Sequence, residues 1–149
     1  MNIKIIDLMA QSGIKFGTSG ARGLSDYMTD FICYAYTRGF LQYLKNSGKD
    51  TGSGRKVAIA GDLRPSTDRI MNAVGSAAVD MQYEIINCGK IPSPAIALYG
   101  LEKKISTVMV TGSHIPDDRN GIKFYTATGE ILKDDETAVS YTHLRAHET

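Results

Sequence analysis

The chain has 149 residues, 42% of them apolar and 22% charged, with a formal net charge of +1. That is enough chain for one domain with a respectable core, while the near-neutral balance and the lack of a basic stripe interleaved with aromatics argue against a nucleic-acid partner. No apolar run approaches the roughly 18 residues of a membrane span, and residues 1–10 lack the basic start, long apolar centre and cleavage site of a signal peptide.

In chain order, residues 14–28 read as an extended segment breaking into a glycine-rich loop. Thr29 suits a helix N-cap with Asp30 in the first turn. Behind it, Ile32, Ala35, Tyr36, Gly39, Phe40, Tyr43 and Leu44 recur at helical spacing on one face. Ser47-Gly48 ends that helix, and residues 49–54 form a solvated turn. Val57 to Ala60 is a short buried strand. Ser66 or Thr67 caps a second helix, with Ile70, Ala73, Val74, Ala77, Ala78 and Met81 as its apolar face. Its alanines and Gly75 imply close approach to a sheet. Residues 83–87 make the next strand, ending at Gly89. Pro94 suits the first turn of a third helix over 95–103, which is apolar nearly all round and so expected to be buried. Residues 106–110 and 122–125 are strands, and 126–129 turn into Glu130-Ile131-Leu132. Cys33 and Cys88 have no neighbour at metal-ligand spacing. They read as buried free thiols of a reducing compartment rather than a disulfide, which places the chain in the cytoplasm.

Strands alternating with helices predict an α/β domain with helices on both faces of a mostly parallel sheet, the helices at 67–82 and 95–103 supplying crossovers. Ligands gather beyond the carboxyl ends of strands in such sheets. Asp62, Gly89 and Ser113 each follow a strand end, so the three loops should share one rim.

The loop Thr111-Gly112-Ser113-His114-Ile115-Pro116, followed by Asn120-Gly121-Ile122-Lys123, carries the chemistry. It sets a serine hydroxyl on a tight Gly/Pro loop straight after a strand, with a lysine ten positions on. A nucleophile needs exposure, a fixed backbone and a nearby acid or base. This loop resembles the phosphoserine loop of the α-D-phosphohexomutases, T-[AG]-S-H-N-P…N-G-[IFM]-K. Phe16-Gly17-Thr18-Ser19-Gly20-Ala21-Arg22-Gly23 resembles the same family's F-G-T-[SD]-G-x-R-G. Gly61-Asp62-Leu63-Arg64-Pro65-Ser66 is similar to its G-x-D-x-R-x-S block, and Gly89-Lys90-Ile91-Pro92-Ser93-Pro94 to its G-x-x-x-[ST]-P turn. The motifs stand in the family's order. Ser19 and Ile115 look most like the family's bacterial phosphomannomutases, although Ile115 removes the usual Asn beside the serine.

The resemblance implies a three-layer α/β/α sandwich on a mixed sheet, the family's first domain, over residues 1–138. It implies an enzyme that moves phosphate between the 6- and 1-hydroxyls of a hexose through a phosphoserine and a hexose 1,6-bisphosphate. Mannose phosphate is the first choice of substrate; phosphoglucomutase and phosphoglucosamine mutase are the alternatives, the last usually having Asp where Ser19 stands. Ser113 is then the phosphate carrier and, through its phosphate, a ligand of Mg²⁺. The other metal ligands would come from an Asp-Gly-Asp-x-Asp loop in the next domain, absent here. Lys123 handles the sugar hydroxyl proton, with a neighbouring Arg22 and partial burial expected to lower its pKa. Arg22 offers a planar fork to phosphate oxygens. His114 either contacts phosphate or orders the loop.

Thr18 and Ser19 donate hydroxyl hydrogen bonds to the phosphate, while Gly17, Gly20 and Gly112 let backbone N–H groups approach it. Asn120 belongs to the same phosphate- and substrate-binding set, and with Gly121 it forms a turn that aims Lys123. Asp62 and Arg64 are expected to pair with each other and brace the rim.

Two other readings are weaker. A serine hydrolase would want G-x-S-x-G and a distant histidine, whereas Ile115 stands two after Ser113 and His114 is adjacent. A non-catalytic phosphosugar-binding relative would have no use for both Ser113 and Lys123. Residues 139–149, V-S-Y-T-H-L-R-A-H-E-T, read as a translated sequencing adapter, so the natural gene is expected to continue into further domains. His143 and His147 lack the glutamate of a zinc-binding HExxH. The chain alone is expected to be inactive.

Overall fold

The computed structural model describes residues 2–16, 20–49, 55–112, 116–131, 133–141 and 143–145. The expectations for Gly17, Thr18, Ser19, Ser113, His114, Ile115 and Leu132 lie outside the described residues, as does most of the 49–54 turn.

A short strand β1 (Asn2–Lys4) leads into helix α1 (Ile5–Ser12), then β2 (Lys15–Phe16) and β3 (Gly20–Leu24). Helix α2 (Asp30–Ser47) follows a single 3₁₀ turn at Ser25–Tyr27. Strand β4 (Lys56–Gly61), helix α3 (Thr67–Asp80), strand β5 (Glu84–Lys90), helix α4 (Ser93–Lys103) and strand β6 (Ser106–Val110) form the α/β core. Strands β7 (Arg119–Thr126) and β8 (Gly129–Glu130), helix α5 (Lys133–Ser140) and β9 (His143–Arg145) complete the described chain.

Helix α2 forms where the periodicity places it. Thr29 Oγ1 accepts the N–H of Ile32 at 3.2 Å, and Gly48 closes the helix in the left-handed region at φ 72°. All seven residues of its predicted apolar face are buried, and Phe40 stacks on Phe124 of β7 with ring centroids 4.5 Å apart. The predicted face of α3 is buried in the same way.

The main sheet runs β2-β3-β7-β6-β4-β5, with β8 added on β7, while β1 and β9 pair separately. It is mixed, but parallel pairing is confined to β5-β4-β6. β7 lies antiparallel to both β6 and β3. Residues 111–118 between β6 and β7 are too few for a crossover helix, so the chain turns back into an antiparallel pair. Along β4, Val57 and Ile59 pack into a large core with α2 and α3, and Ala58 and Ala60 into a smaller one with Ile96, Met109 and Tyr125. Alternate residues therefore feed opposite layers, as an internal strand requires. Three layers result: α1, α2, α3 and α5 on one face, α4 on the other.

Three expectations need correction. Helix α4 is not buried all round, because it alone covers its face of the sheet: Ile96 and Gly100 are buried, but Leu98 is 56% and Leu101 46% exposed. Gly75 is not the close-approach residue, since a Cβ there would sit 3.5 Å from Ile85 Cδ1, an ordinary contact. Gly61 is, because a Cβ on it would lie 2.5 Å from Thr67 Cγ2. Cys33 is buried, and that burial chiefly pushes its thiol up to about 12; Cys88 is only half-buried, and both thiols are free.

Candidate active site

Beyond β4 the chain runs outward to β5 and then returns past it to β6. Strand order therefore reverses between β4 and β6, and their carboxyl ends flank the crevice where α/β sheets bind ligands. Asp62 follows one end and Thr111-Gly112 the other, joined by Asp62 N–H donating to Val110 O at 3.0 Å. A cavity of about 620 Å³ opens there, lined by Asp62, Lys90, Ser93, Thr111 and Lys123 among others. The loops after β4 and β5 and Thr111 after β6 do share this rim, but Gly89 lies inside β5 and not beyond its end, and Ser113 is outside the described residues.

Asp62 organises the rim. Its Oδ1 accepts Arg64 N–H at 3.0 Å and the Thr67 hydroxyl at 2.5 Å. Its Oδ2 accepts the Thr111 hydroxyl at 3.0 Å, Gly112 N–H at 3.0 Å and Arg64 Nε at 3.2 Å. Burial pushes this carboxyl up, but bonds from Thr67, Arg64, Gly112 and Thr111 outweigh it and hold the group below the usual carboxylate range. Arg64 then reaches across the loop, with Nη1 donating to Pro116 O at 2.6 Å and to Arg119 O at 3.3 Å. The expected Asp62–Arg64 pair is present, and its reach to both sides of residues 113–115 goes beyond what the sequence suggests.

Two predicted site residues face the scaffold. Asn120 is fully buried and sits in β7, not in a turn. Its amide donates to Ser66 Oγ at 2.8 Å and Thr67 Oγ1 at 3.1 Å, and its Oδ1 accepts Gly121 N–H at 2.8 Å. Those bonds turn its side chain inward, onto the start of α3. Gly112 gives its N–H to the Asp62 carboxylate, whereas a phosphate was the expected partner; a Cβ there would sit 2.2 Å from Arg64 Cζ.

Lys123 and Arg22 do share a face. Lys123 pairs with Gly20 and Met109 across its two neighbouring strands, and Arg22 pairs with Gly121 two residues along. Paired residues point to the same side, and so do i and i+2, so Arg22 and Lys123 stand on the α4 side with Thr111. Arg22 is exposed and Lys123 half-buried. Lys90 joins this rim, its ammonium 2.6 Å from Asp68. The sequence did not mark Thr67, Thr111 and Lys90 as site residues, although Thr67 read as a helix cap and Thr111 and Lys90 stood within two of the motifs.

The family model for phosphoglucomutase/phosphomannomutase, alpha/beta/alpha domain I, matches residues 13–148. The chain belongs to this family. It is 44% identical over 133 residues to a phosphomannomutase of Salmonella muenchen, covering 89% of this chain and 27% of that protein. A phosphomannomutase of Sinorhizobium fredii is 41% identical, covering 86% of this chain and 27% of the relative. A phosphoglucosamine mutase of Alkaliphilus oremlandii is 34% identical, covering 83% of this chain and again 27% of the relative. The chain thus spans about a quarter of these relatives' length. A solved protein of Thermus thermophilus superposes with a TM-score of 0.74 at 24% identity, over 85% of this chain and 29% of that one, which supports the family's fold. Among the described residues no group of three or more His, Cys, Asp or Glu is placed to hold a metal, and no helix is long and apolar enough to cross a membrane.

Proposed function

We propose that the protein containing this chain interconverts hexose 6-phosphate and hexose 1-phosphate, with mannose phosphate as its substrate. Ser113 carries the phosphoryl group. A sugar hydroxyl attacks that phosphorus, the serine O–P bond breaks, and Lys123 manages the hydroxyl proton. The bound hexose 1,6-bisphosphate turns over and returns its other phosphoryl group to Ser113. Arg22 offers its fork to the phosphate oxygens, and Thr18, Ser19 and His114 belong to the same proposed set. The observation that carries this reading is the crevice between β4 and β6, lined by Lys123 and Thr111, with Arg22 on the same face of the sheet opposite Gly121. Identities of 44% and 41% to phosphomannomutases, against 34% to a phosphoglucosamine mutase, support mannose phosphate.

Mg²⁺ belongs to this proposal. An ion held by the Ser113 phosphate and by carboxylates from outside this chain would neutralise phosphate charge. Cytoplasmic residence, supported by two free cysteines, is part of the same reading. So is the division into a first domain over 1–138 and an appended tail over 139–149. Helix α5 runs through a fully buried Val139 and the family match reaches residue 148, so genomic sequence is the test. Native codons for Val139 to Thr149 would refute the adapter reading.

The functional test is a coupled assay of the full-length protein on mannose, glucose and glucosamine 6-phosphates. Highest kcat/KM on mannose 6-phosphate is expected, with no turnover from residues 1–149 alone. Preference for another sugar would reassign the substrate, and no turnover of any would refute the mutase reading.

A further inference from the structure

We infer that Arg64 is a positioning residue for the reaction: with Asp62 it fixes both ends of the span 113–115 and so sets where the Ser113 oxygen stands. This rests on the phosphoserine reading above. On the leading side, Asp62 Oδ2 holds Gly112 N–H and the Thr111 hydroxyl, each at 3.0 Å. On the trailing side, Arg64 Nη1 holds Pro116 O at 2.6 Å and Arg119 O at 3.3 Å. The anchors are tied to each other by the Nε–Oδ2 contact of 3.2 Å. Gly112 and Pro116, which flank residues 113–115 in the sequence, are therefore tied to one another through the Asp62–Arg64 pair.

The clamp itself is built on rigid elements. Asp62 leaves the end of β4 and is bonded to Thr67 in the first turn of α3, the kind of support that holds reacting groups better than loops do. The Arg64 side chain is only 10% exposed, and its guanidinium occupies the place of the missing Gly112 Cβ, 2.2 Å from Cζ. Glycine at 112 thus makes room for arginine, which accounts for a residue expected to bind an anion. Arginine is needed because one planar group must reach a carboxylate with Nε and a carbonyl beyond the loop with Nη1; a lysine ammonium is a single point on a flexible stem. The Asp117 contact at 3.4 Å adds little, since that carboxylate is 93% exposed.

Phosphoryl transfer depends mainly on positioning, and a misplacement of about 1 Å can cost on the order of 10²-fold in rate. In the full-length protein, Arg64→Ala, Arg64→Lys and Gly112→Ala are each expected to lower kcat on the order of 10²-fold. KM should stay within about threefold and phosphate should still be found on Ser113 by intact mass, because the groups that bind sugar remain. The Arg64→Ala/Gly112→Ala double variant should be no slower than the slower single, as both break one clamp. Wild-type kcat in Arg64→Lys would overturn the inference by showing that charge suffices, and so would losses confined to KM. If Arg64→Ala does not fold, Arg64→Lys, which keeps charge and length, decides alone. Active wild type with equally active variants removes only the clamp; wild type with neither turnover nor serine phosphate removes the mutase reading and the clamp with it.

Discussion

Five donors converge on the Asp62 carboxylate: two from Arg64 and one each from Thr67, Thr111 and Gly112. Because its folded pKa is depressed, the stability it supplies is complete above the ordinary Asp value of about 3.9. That stability is lost as pH falls through the lower folded value. Asp62→Asn turns an acceptor-only oxygen into an NH₂ facing donors, at a cost of about 2 kcal/mol near pH 7 and less near pH 3. Urea denaturation at the two pH values checks this; equal destabilisation at both would contradict it. Much of this was legible beforehand, since Asp62 and Arg64 two residues apart read as a bracing pair. Asn120 was not, because a polar residue next to glycine looks like a turn until the partner hydroxyls of Ser66 and Thr67 arrive from across the sheet.

At the scale of elements, periodicity served best where an element is long and one-sided. Helices α2 and α3 bury the faces their spacing predicts, and strand β6 has the predicted bounds. Helix α1 escaped because eight residues with Ile5 and Leu8 buried carry too little pattern. The antiparallel placement of β3 beside β7 escaped as well, since partner choice is a long-range property. Helix α4 misled because apolarity on every side does not say how many layers cover it. The stack of Phe40 on Phe124 joins the longest helix to β7, the strand that bears Lys123. Phe40→Ala should cost about 3–5 kcal/mol, read from the shift in denaturation midpoint. A loss below about 1 kcal/mol would show that this layer is loosely packed.

At the scale of the whole molecule, α3 and α4 lie on opposite faces of the sheet, and the order reversal between them opens the crevice at β4 and β6. The scaffold delivers Asp62, Arg64, Lys123 and Arg22 to one side of the sheet end, within a chain that spans 27% of the phosphomannomutase relative's length. In the proposed function the Ser113 oxygen carries phosphate to and from a hexose. The most direct measurement is intact mass of the purified full-length protein before and after incubation with hexose 1,6-bisphosphate. A single phosphate-sized increment, localised to residue 113, abolished by Ser113→Ala and lost to added hexose 6-phosphate, is the predicted result. Turnover in a protein whose Ser113 never bears phosphate, or undiminished turnover in Ser113→Ala, would contradict it.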